Sequence, residues 1–265
     1  LLEDTEPFAL EGLEQYHLKQ ELLESLIAGD NPGNVLALQR AKGRLPYGAF
    51  GELFMDEQIE VLASTAATIQ EQLTHSSPAD DIEVNLTISD IKLSGWIKQH
   101  RSSGLLSYRA SSIKGKDIIT GWIKHLCYCA TGHNGASILI GVDTKKGSPL
   151  EHCFKPLSTE RAKGLLTAII TIYLEGLERP LPFFPETSLA WFKDRDHEEK
   201  AYKKAKTMFE GNTFGSNNFA ESDDPYIARI HPDFDATYDA MTQLSQRIFS
   251  AAMPNDEESS NGEDK

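Results

Sequence analysis

Between Lys92 and Lys124, seven cationic side chains (Lys92, Lys98, Arg101, Arg109, Lys114, Lys116 and Lys124) stand against one acid, Asp117. Trp96, Tyr108 and Trp122 are interleaved with them. Lysine and arginine neutralise phosphates, and aromatic rings offer faces on which bases stack, so nucleic acid can use this mixture. A solvated sheet face with its aromatics in the core has the same composition, and charge segregation alone does not decide between the two. The segment's +6 (seven against one) lies in a chain of −14, with 26 Lys and Arg against 40 Asp and Glu. Any contact with nucleic acid is therefore local.

Other chemistries find little support. No Gly-x4-Gly-Lys-Ser/Thr loop is present, and Thr131-Gly132-His133-Asn134-Gly135 follows a helix, which makes it a connecting loop. Cys127 and Cys129 lie two apart on a helix and point about 200° apart, unsuited to sharing a zinc ion. They read as buried core thiols, and Cys153 as another. His197-Glu198-Glu199 lacks the second histidine of a zinc-protease helix and reads as a solvated charged face. No Gly-x-Ser-x-Gly elbow marks a catalytic serine. The sequence thus calls for no metal and no cofactor.

The elements that must position the basic segment follow from hydrophobic period. Glu11 to Ala28 is helical, with Leu22, Leu23, Leu26 and Ile27 on one face and Gly29 at its stop. Asp30-Asn31-Pro32-Gly33 reads as a turn. A longer helix carries Ile59, Leu62, Ala66, Ile69 and Leu73, and Ser76-Ser77-Pro78 breaks it. The period then changes to 2: Ile82, Val84, Leu86 and Ile88 alternate with polar residues. Ser89-Asp90 turns the chain into a strand with Ile91, Leu93 and Ile97, and a third strand spans Leu105 to Arg109. The expectation is a three-stranded antiparallel meander. A helix from Lys116 to Ala130, burying Ile119, Trp122, Ile123, Leu126 and Ala130, leads to a buried strand at Ile138 to Val142. Another helix begins near Ser158 and carries Leu166, Ile169, Ile170, Tyr173 and Leu177. After an irregular Pro180 to Pro185 come a charged helix (His197 to Glu210) and an amphipathic one with Phe234, Tyr238, Met241 and Ile248.

Forty per cent apolar and 25% charged residues in 265 describe a globular chain. Three cysteines are too few for a disulfide framework, which points to a reducing, cytoplasmic setting. The longest apolar stretch, Leu165 to Leu174, is too short for a bilayer, so no membrane is expected. The chain opens at Leu1 without a secretory signal and reads as part of something longer. Strands bracketed by helices imply an α/β fold. The expected organisation is a helical lead-in (1–33), a main domain (34–253) and a disordered acidic tail (254–265), where Asn255 to Lys265 holds five acids and one lysine.

Gly95-Trp96-Ile97-Lys98, followed by Leu105-Leu106-Ser107-Tyr108-Arg109, resembles the frame of the PD-(D/E)XK nucleases related to RecB. In that family the frame carries an acid on one strand and acid-x-lysine on the next. The two carboxylates hold Mg²⁺ and the lysine steadies developing charge. Here Lys98 takes the first acid's place, Ser107 the second's, and Arg109 stands where the lysine would be. Leu45-Pro46-Tyr47-Gly48-Ala49-Phe50-Gly51 resembles the family's opening motif, with Phe54 or Met55 where its histidine ligand belongs. The resemblance therefore implies a restriction-endonuclease-like mixed sheet flanked by helices, with an emptied metal site.

Longer runs are similar to the C-terminal region of the RecC family, the gamma subunits of exodeoxyribonuclease V. They are Glu6-Pro7-Phe8 with Gly12-Leu13, Leu45 to Glu52, Gly95-Trp96, Gly104-Leu105-Leu106, Tyr128-Cys129-Ala130 with Asn134-Gly135, and Glu210-Gly211-Asn212. This resemblance implies a noncatalytic scaffold and DNA-strand guide in a RecBCD-type helicase–nuclease acting in recombinational repair. Its partners would be RecB-like and RecD-like subunits, double-stranded DNA ends and the separated single strands. Trp96, Lys98, Arg101, Arg109, Lys114 and Lys116 are the DNA-binding candidates, and the Trp96 to Tyr108 hairpin, with Arg101 near its tip, is the candidate separating element. Two other readings compete. One is a metal-dependent nuclease recruiting Asp81, Glu83, Asp90 or Asp117. The other is a pure protein-docking module using an apolar face of the terminal helix, Phe234 to Phe249.

Overall fold

The structure, a computed structural model, describes residues 12–45, 48–211 and 220–253. It is α/β, with a mixed sheet and helices packed on it. The described residues fall into two compact units that the chain visits alternately. The first lies within Leu1–Asp81, Lys98–Ile113 and Ala136–Cys153, and the second within Ile82–Ile97, Lys114–Gly135 and Phe154–Lys265.

In the first unit, helices α1 (Gly12–Ala28), α2 (Pro32–Ala41) and α3 (Ala49–Thr74) precede strands β3 (His100–Arg101), β4 (Gly104–Tyr108), β5 (Ala136–Asp143) and β6 (Ser148–Phe154). The sheet order is β3-β4-β5-β6, with β3 antiparallel and β5 parallel to β4. The core joins Leu18, Leu22 and Leu23 of α1 to Met55, Leu62, Ala66 and Ile69 of α3 and to Leu106, Ile140 and Val142 of the sheet. Burial of this continuous apolar set is the main force holding the helices on the sheet. Gln70 of α3 donates to the carbonyls of Leu26 (3.1 Å) and Ile27 (3.0 Å), closing the end of α1. Gly104 sits at φ +137°, where a Cβ would lie 1.9 Å from the Ala136 carbonyl oxygen, so β4 and β5 meet only because no side chain intervenes.

In the second unit, β1 (Ile82–Ile88) and β2 (Ile91–Ile97) form a separate two-stranded ribbon. Ser89 and Asp90, at φ 48° and 65°, make its two-residue turn, whose positive angles match the strand twist. Ile82, Val84, Ile88 and Ile97 are buried on the inner face, and β1 packs on α4 (Gly115–Ala130) and α5 (Thr159–Glu178). Helices α6 (Pro185–Lys193), α7 (Glu198–Glu210), α8 (Pro225–Ile230) and α9 (Phe234–Ala252) complete the unit. Phe184, Phe209, Phe234 and Met241 form one of its cores, and Ile172, Leu244 and Ile248 another.

Several expectations are corrected here. The three strands are not one meander: β1 and β2 pair only with each other, while the third strand pairs in parallel with β5. Asn31-Pro32-Gly33 is not a free turn but the start of α2, with the Asn31 side chain accepting from Gly33 N (2.8 Å) and proline in the first helical turn. Pro185 likewise opens α6 at the end of the stretch read as irregular. The apolar stripe of α9 is core, with Phe234, Met241, Ile248 and Phe249 all buried. Conversely, Ile123 (36% exposed), Tyr173 (62%) and Leu177 (66%) are at the surface, because helical period marks a face without saying how far along its length a neighbour covers it. Glu6-Pro7-Phe8, Pro46-Tyr47, Asn212 and the acidic tail lie outside the described residues.

Candidate nucleic-acid interface

The basic segment is divided between the two units. Lys98, Arg101, Ser107 and Arg109 belong to the first unit, and Lys92, Trp96, Lys114, Lys116 and Lys124 to the second.

In the first unit, Gln99 takes a positive φ of 65°, and its side chain receives the Ser107 hydroxyl (Oγ to Oε1, 3.1 Å). Ser107 thus presents a neutral hydroxyl bonded to a neutral amide. Lys98 beside it is exposed. Arg109 continues the ladder through its backbone N–H to Ile140 O (3.0 Å). Its side chain donates from Nε to Ser111 Oγ (2.7 Å) and lies 5.8 Å from the centre of the Tyr16 ring, a cation–π contact. Tyr108 is half-buried, and burial first, then nearby Glu24, pushes its phenol up, against the opposing pull of Arg101.

Arg101 is held by several partners. It stands near the tip of the β3–β4 hairpin, as expected, but its guanidinium turns onto the C-terminal end of α3. Nε donates to Ser76 Oγ (2.7 Å), and Nη2 donates to Leu73 O (2.9 Å) and to Ser76 O. Helix ends leave carbonyls without partners and carry partial negative charge, so an arginine there satisfies both demands. Ser77 N to Ser102 Oγ (3.1 Å), Ser102 N to Ser77 O (2.9 Å) and Ala79 N to His100 O (3.1 Å) fasten the rest of the hairpin to the same segment. Arg101 is a clasp within the fold.

In the second unit, Lys114 and Lys116 flank the N-terminus of α4, both exposed, and Lys124 is exposed farther along. Asp117, the segment's one acid, reaches back to Lys114 N (2.9 Å), and Glu186 accepts from Gly115 N (3.1 Å). A Cβ on Gly115 would lie 2.1 Å from Pro185 O, so this end of α4 is tightly seated. Two carboxylates of the chain already occupy the helix's anion-attracting end. Glu186 left no signal in the sequence, because its partner is 71 residues away.

Of the three aromatics, Trp122 is core, stacked 5.7 Å from the buried ring of His125 and 5.5 Å from Phe154. His125 contacts Lys155 O through Nε2 (2.9 Å), and burial holds its pKa below the ordinary value. Trp96 alone of the three stands out, 63% exposed on the outer face of the ribbon. It lies opposite Glu83, and Ser94 opposite Asn85, in register across the strands.

The acids proposed for a recruited metal site are dispersed in their roles. Asp117 caps α4, Asp90 forms the ribbon turn, Glu83 faces Trp96 and Asp81 is exposed. Among the described residues no three His, Cys, Asp or Glu side chains gather as metal ligands. Cys129 is buried and Cys127 half-buried, their thiols pushed up by burial, whereas Cys153 is exposed and not the core thiol expected. Among the described residues no helix is long and apolar enough to cross a membrane.

Comparison with known proteins gives consistent matches. The family model of the RecC C-terminal domain matches residues 1–196. The RecBCD enzyme subunit RecC of Escherichia coli (strain K12) is 34% identical over 259 residues, covering 93% of this chain and 22% of that protein. The RecBCD enzyme subunit RecC of Buchnera aphidicola subsp. Acyrthosiphon pisum is 27% identical over 238 residues (85% of this chain, 21% of that protein). The protein of the same name from Mycolicibacterium smegmatis is 25% identical over 208 residues (75% and 18%). The chain thus spans about a fifth of the length of these relatives.

Proposed function

The chain belongs to the RecC C-terminal domain family, and from that premise we propose that it is a noncatalytic scaffold and DNA-strand guide of a RecBCD-type helicase–nuclease. The family match is the observation that carries this reading. In it the chain works in the cytoplasm in recombinational repair of double-strand breaks, docked with RecB-like and RecD-like subunits. It meets duplex ends and the strands separated from them.

The fold is read as a degenerate PD-(D/E)XK nuclease. The parallel pair β4–β5, joined through α4, supports this, as does the frame in which Lys98, Ser107 and Arg109 replace acid, acid and lysine. Ammonium, hydroxyl and guanidinium groups are not Mg²⁺ ligands, whereas hard oxygen anions are. The 34–253 body, with 1–33 as its lead-in, is the corresponding domain assignment. Lys98, Lys114 and Lys116 are its phosphate contacts, and Trp96 offers a stacking face.

The alternatives have less to stand on. A recruited metal site lacks a cluster among the described acids. A docking module using α9 loses its surface, because that stripe is core. Docking through another face accompanies the scaffold role.

The test is binding of the chain to a forked duplex, with Mg²⁺ present, at low and moderate salt. The expected result is uncut strands and an affinity that falls steeply with salt. Lys114→Ala and Lys116→Ala should each lower the slope of log K against log salt by about 1. Mg²⁺-dependent cleavage, abolished by Asp90→Asn or Asp117→Asn, would replace this reading with the nuclease. No binding and no cleavage would leave protein docking as the chain's own activity.

A further inference from the structure

We infer that the outer face of the β1–β2 ribbon, centred on Trp96, receives an unpaired nucleobase by stacking and does not serve as a phosphate-binding surface. This rests on the DNA-guiding reading above and names which form of DNA the ribbon takes.

A single exposed apolar residue needs no explanation by itself. What distinguishes Trp96 is its setting. The ribbon's inner face already buries Ile82, Val84, Ile88 and Ile97, so the strand's alternation places Trp96 among the outward polar residues by register. Cross-strand pairing holds it opposite Glu83, and the next outward pair is Asn85 with Ser94. Neighbouring strands lie about 4.8 Å apart and alternate residues about 7 Å apart. By register the indole thus shares the outer face with a carboxylate, an amide and a hydroxyl, side chains able to bond the polar edge of a planar base. A face that joins one large ring to short hydrogen-bonding groups suits a flat, edge-polar ligand.

Charge selects against the alternative. The ribbon, 82–97, carries Glu83 and Asp90 against Lys92, one net negative charge. Such a surface gains nothing from the phosphate backbone, and a duplex presents its bases edge-on with their faces stacked away. Only a single strand, or the frayed end of a duplex, offers a free base face, and stacking on an aromatic side chain is largely indifferent to base identity. Contact at the ribbon is therefore carried by stacking, with little salt dependence, in contrast to contacts made by Lys98, Lys114 and Lys116.

The experiment titrates the full chain with single-stranded oligodeoxythymidine and, separately, with a blunt duplex, at about 50 and about 200 mM salt. Wild-type, Trp96→Ala and Trp96→Phe chains are compared by fluorescence anisotropy of labelled DNA and by tryptophan emission. Trp96→Ala should weaken single-strand binding about 5- to 150-fold at both salt concentrations, leave the salt slope unchanged and leave duplex binding unaffected. Trp96→Phe should recover part of the loss, while abolishing the quenching of tryptophan emission that single strands cause. An unchanged single-strand affinity in Trp96→Ala would overturn the inference, as would an equal loss for blunt duplex. Both results leave the salt-dependent guiding role standing. Absence of DNA binding by the wild-type chain overturns that role and the inference together, and a Trp96→Ala chain that loses association with its partner subunits instead would assign the ribbon to protein docking.

Discussion

Two antiparallel hairpins lie close together in sequence and use their conspicuous side chains in opposite ways. The β3–β4 hairpin carries Arg101 near its tip and turns it inward, onto the carbonyls that end α3. The β1–β2 ribbon carries Trp96 and turns it outward, 63% exposed. By residue type the assignment would be reversed, with the charge in water and the indole in the core. The difference teaches that a side chain's destination depends on what backbone ends beneath it. Three acceptor oxygens, the Leu73 carbonyl in the last turn of a 26-residue helix and two of Ser76 just beyond it, lie within reach of one guanidinium. Beneath Trp96 the strand's own alternation has already assigned the core to its neighbours.

The comparison breaks most completely at Gly104. Gly104→Ala places a Cβ against the Ala136 carbonyl at a φ that L-residues rarely adopt, and should cost at least about 3 kcal/mol. Urea unfolding measures it, with a retained midpoint showing that β4 and β5 are less closely apposed than described.

Arg101→Ala sharpens it next. Leaving the acceptors at the end of α3 unpaired should destabilise by about 1–3 kcal/mol. Arg101→Lys should restore only part of this, because an ammonium lacks the planar fork that reaches several oxygens at once. At temperatures where both chains are folded, the salt slope of DNA binding should stay that of the wild type. A slope reduced by about 1 would return Arg101 to the phosphate contacts.

A smaller effect separates the buried aromatic cluster from the exposed ring. His125 is held below the ordinary histidine value of 6.5, mainly by burial. Its neutral form is favoured in the fold, so the stability this supplies is present above 6.5 and is lost as pH falls through the depressed value. The melting temperature should therefore decline on acidification below 6.5, and His125→Gln should make that decline shallower. An identical pH profile would remove His125 as its source. Smallest of all, Trp96→Ala should change stability by less than about 0.5 kcal/mol, as expected for a surface position. A larger loss would mean that the ring packs.

Periodicity made most long elements legible. The stripe of α3, the alternation of β1 and the Ser89-Asp90 turn are where the hydrophobic pattern put them. Short elements opened by proline, α2 and α6, were hidden because Asn-Pro-Gly and Pro-rich text serve turns and helix starts alike. The candidate site was legible as a list of residue types and no further. Lys98, Lys114 and Lys116 are exposed, whereas Arg101, Tyr108 and Trp122 have other employment in the fold.

The sequence by itself determined which strands have a buried face and where the ribbon turns. These are local properties, set by side-chain chemistry and a period of 2 or 3.6 residues. Only the tertiary structure decided that β4 pairs in parallel with β5, that Glu186 seats α4, and that Arg101 is a clasp while Trp96 stands exposed. Each of these depends on atoms brought together from positions 25 to 71 residues apart, or on which face a distant helix covers. No pattern within a strand or a helix encodes such a meeting, because its free energy arises only when both partners have left water together.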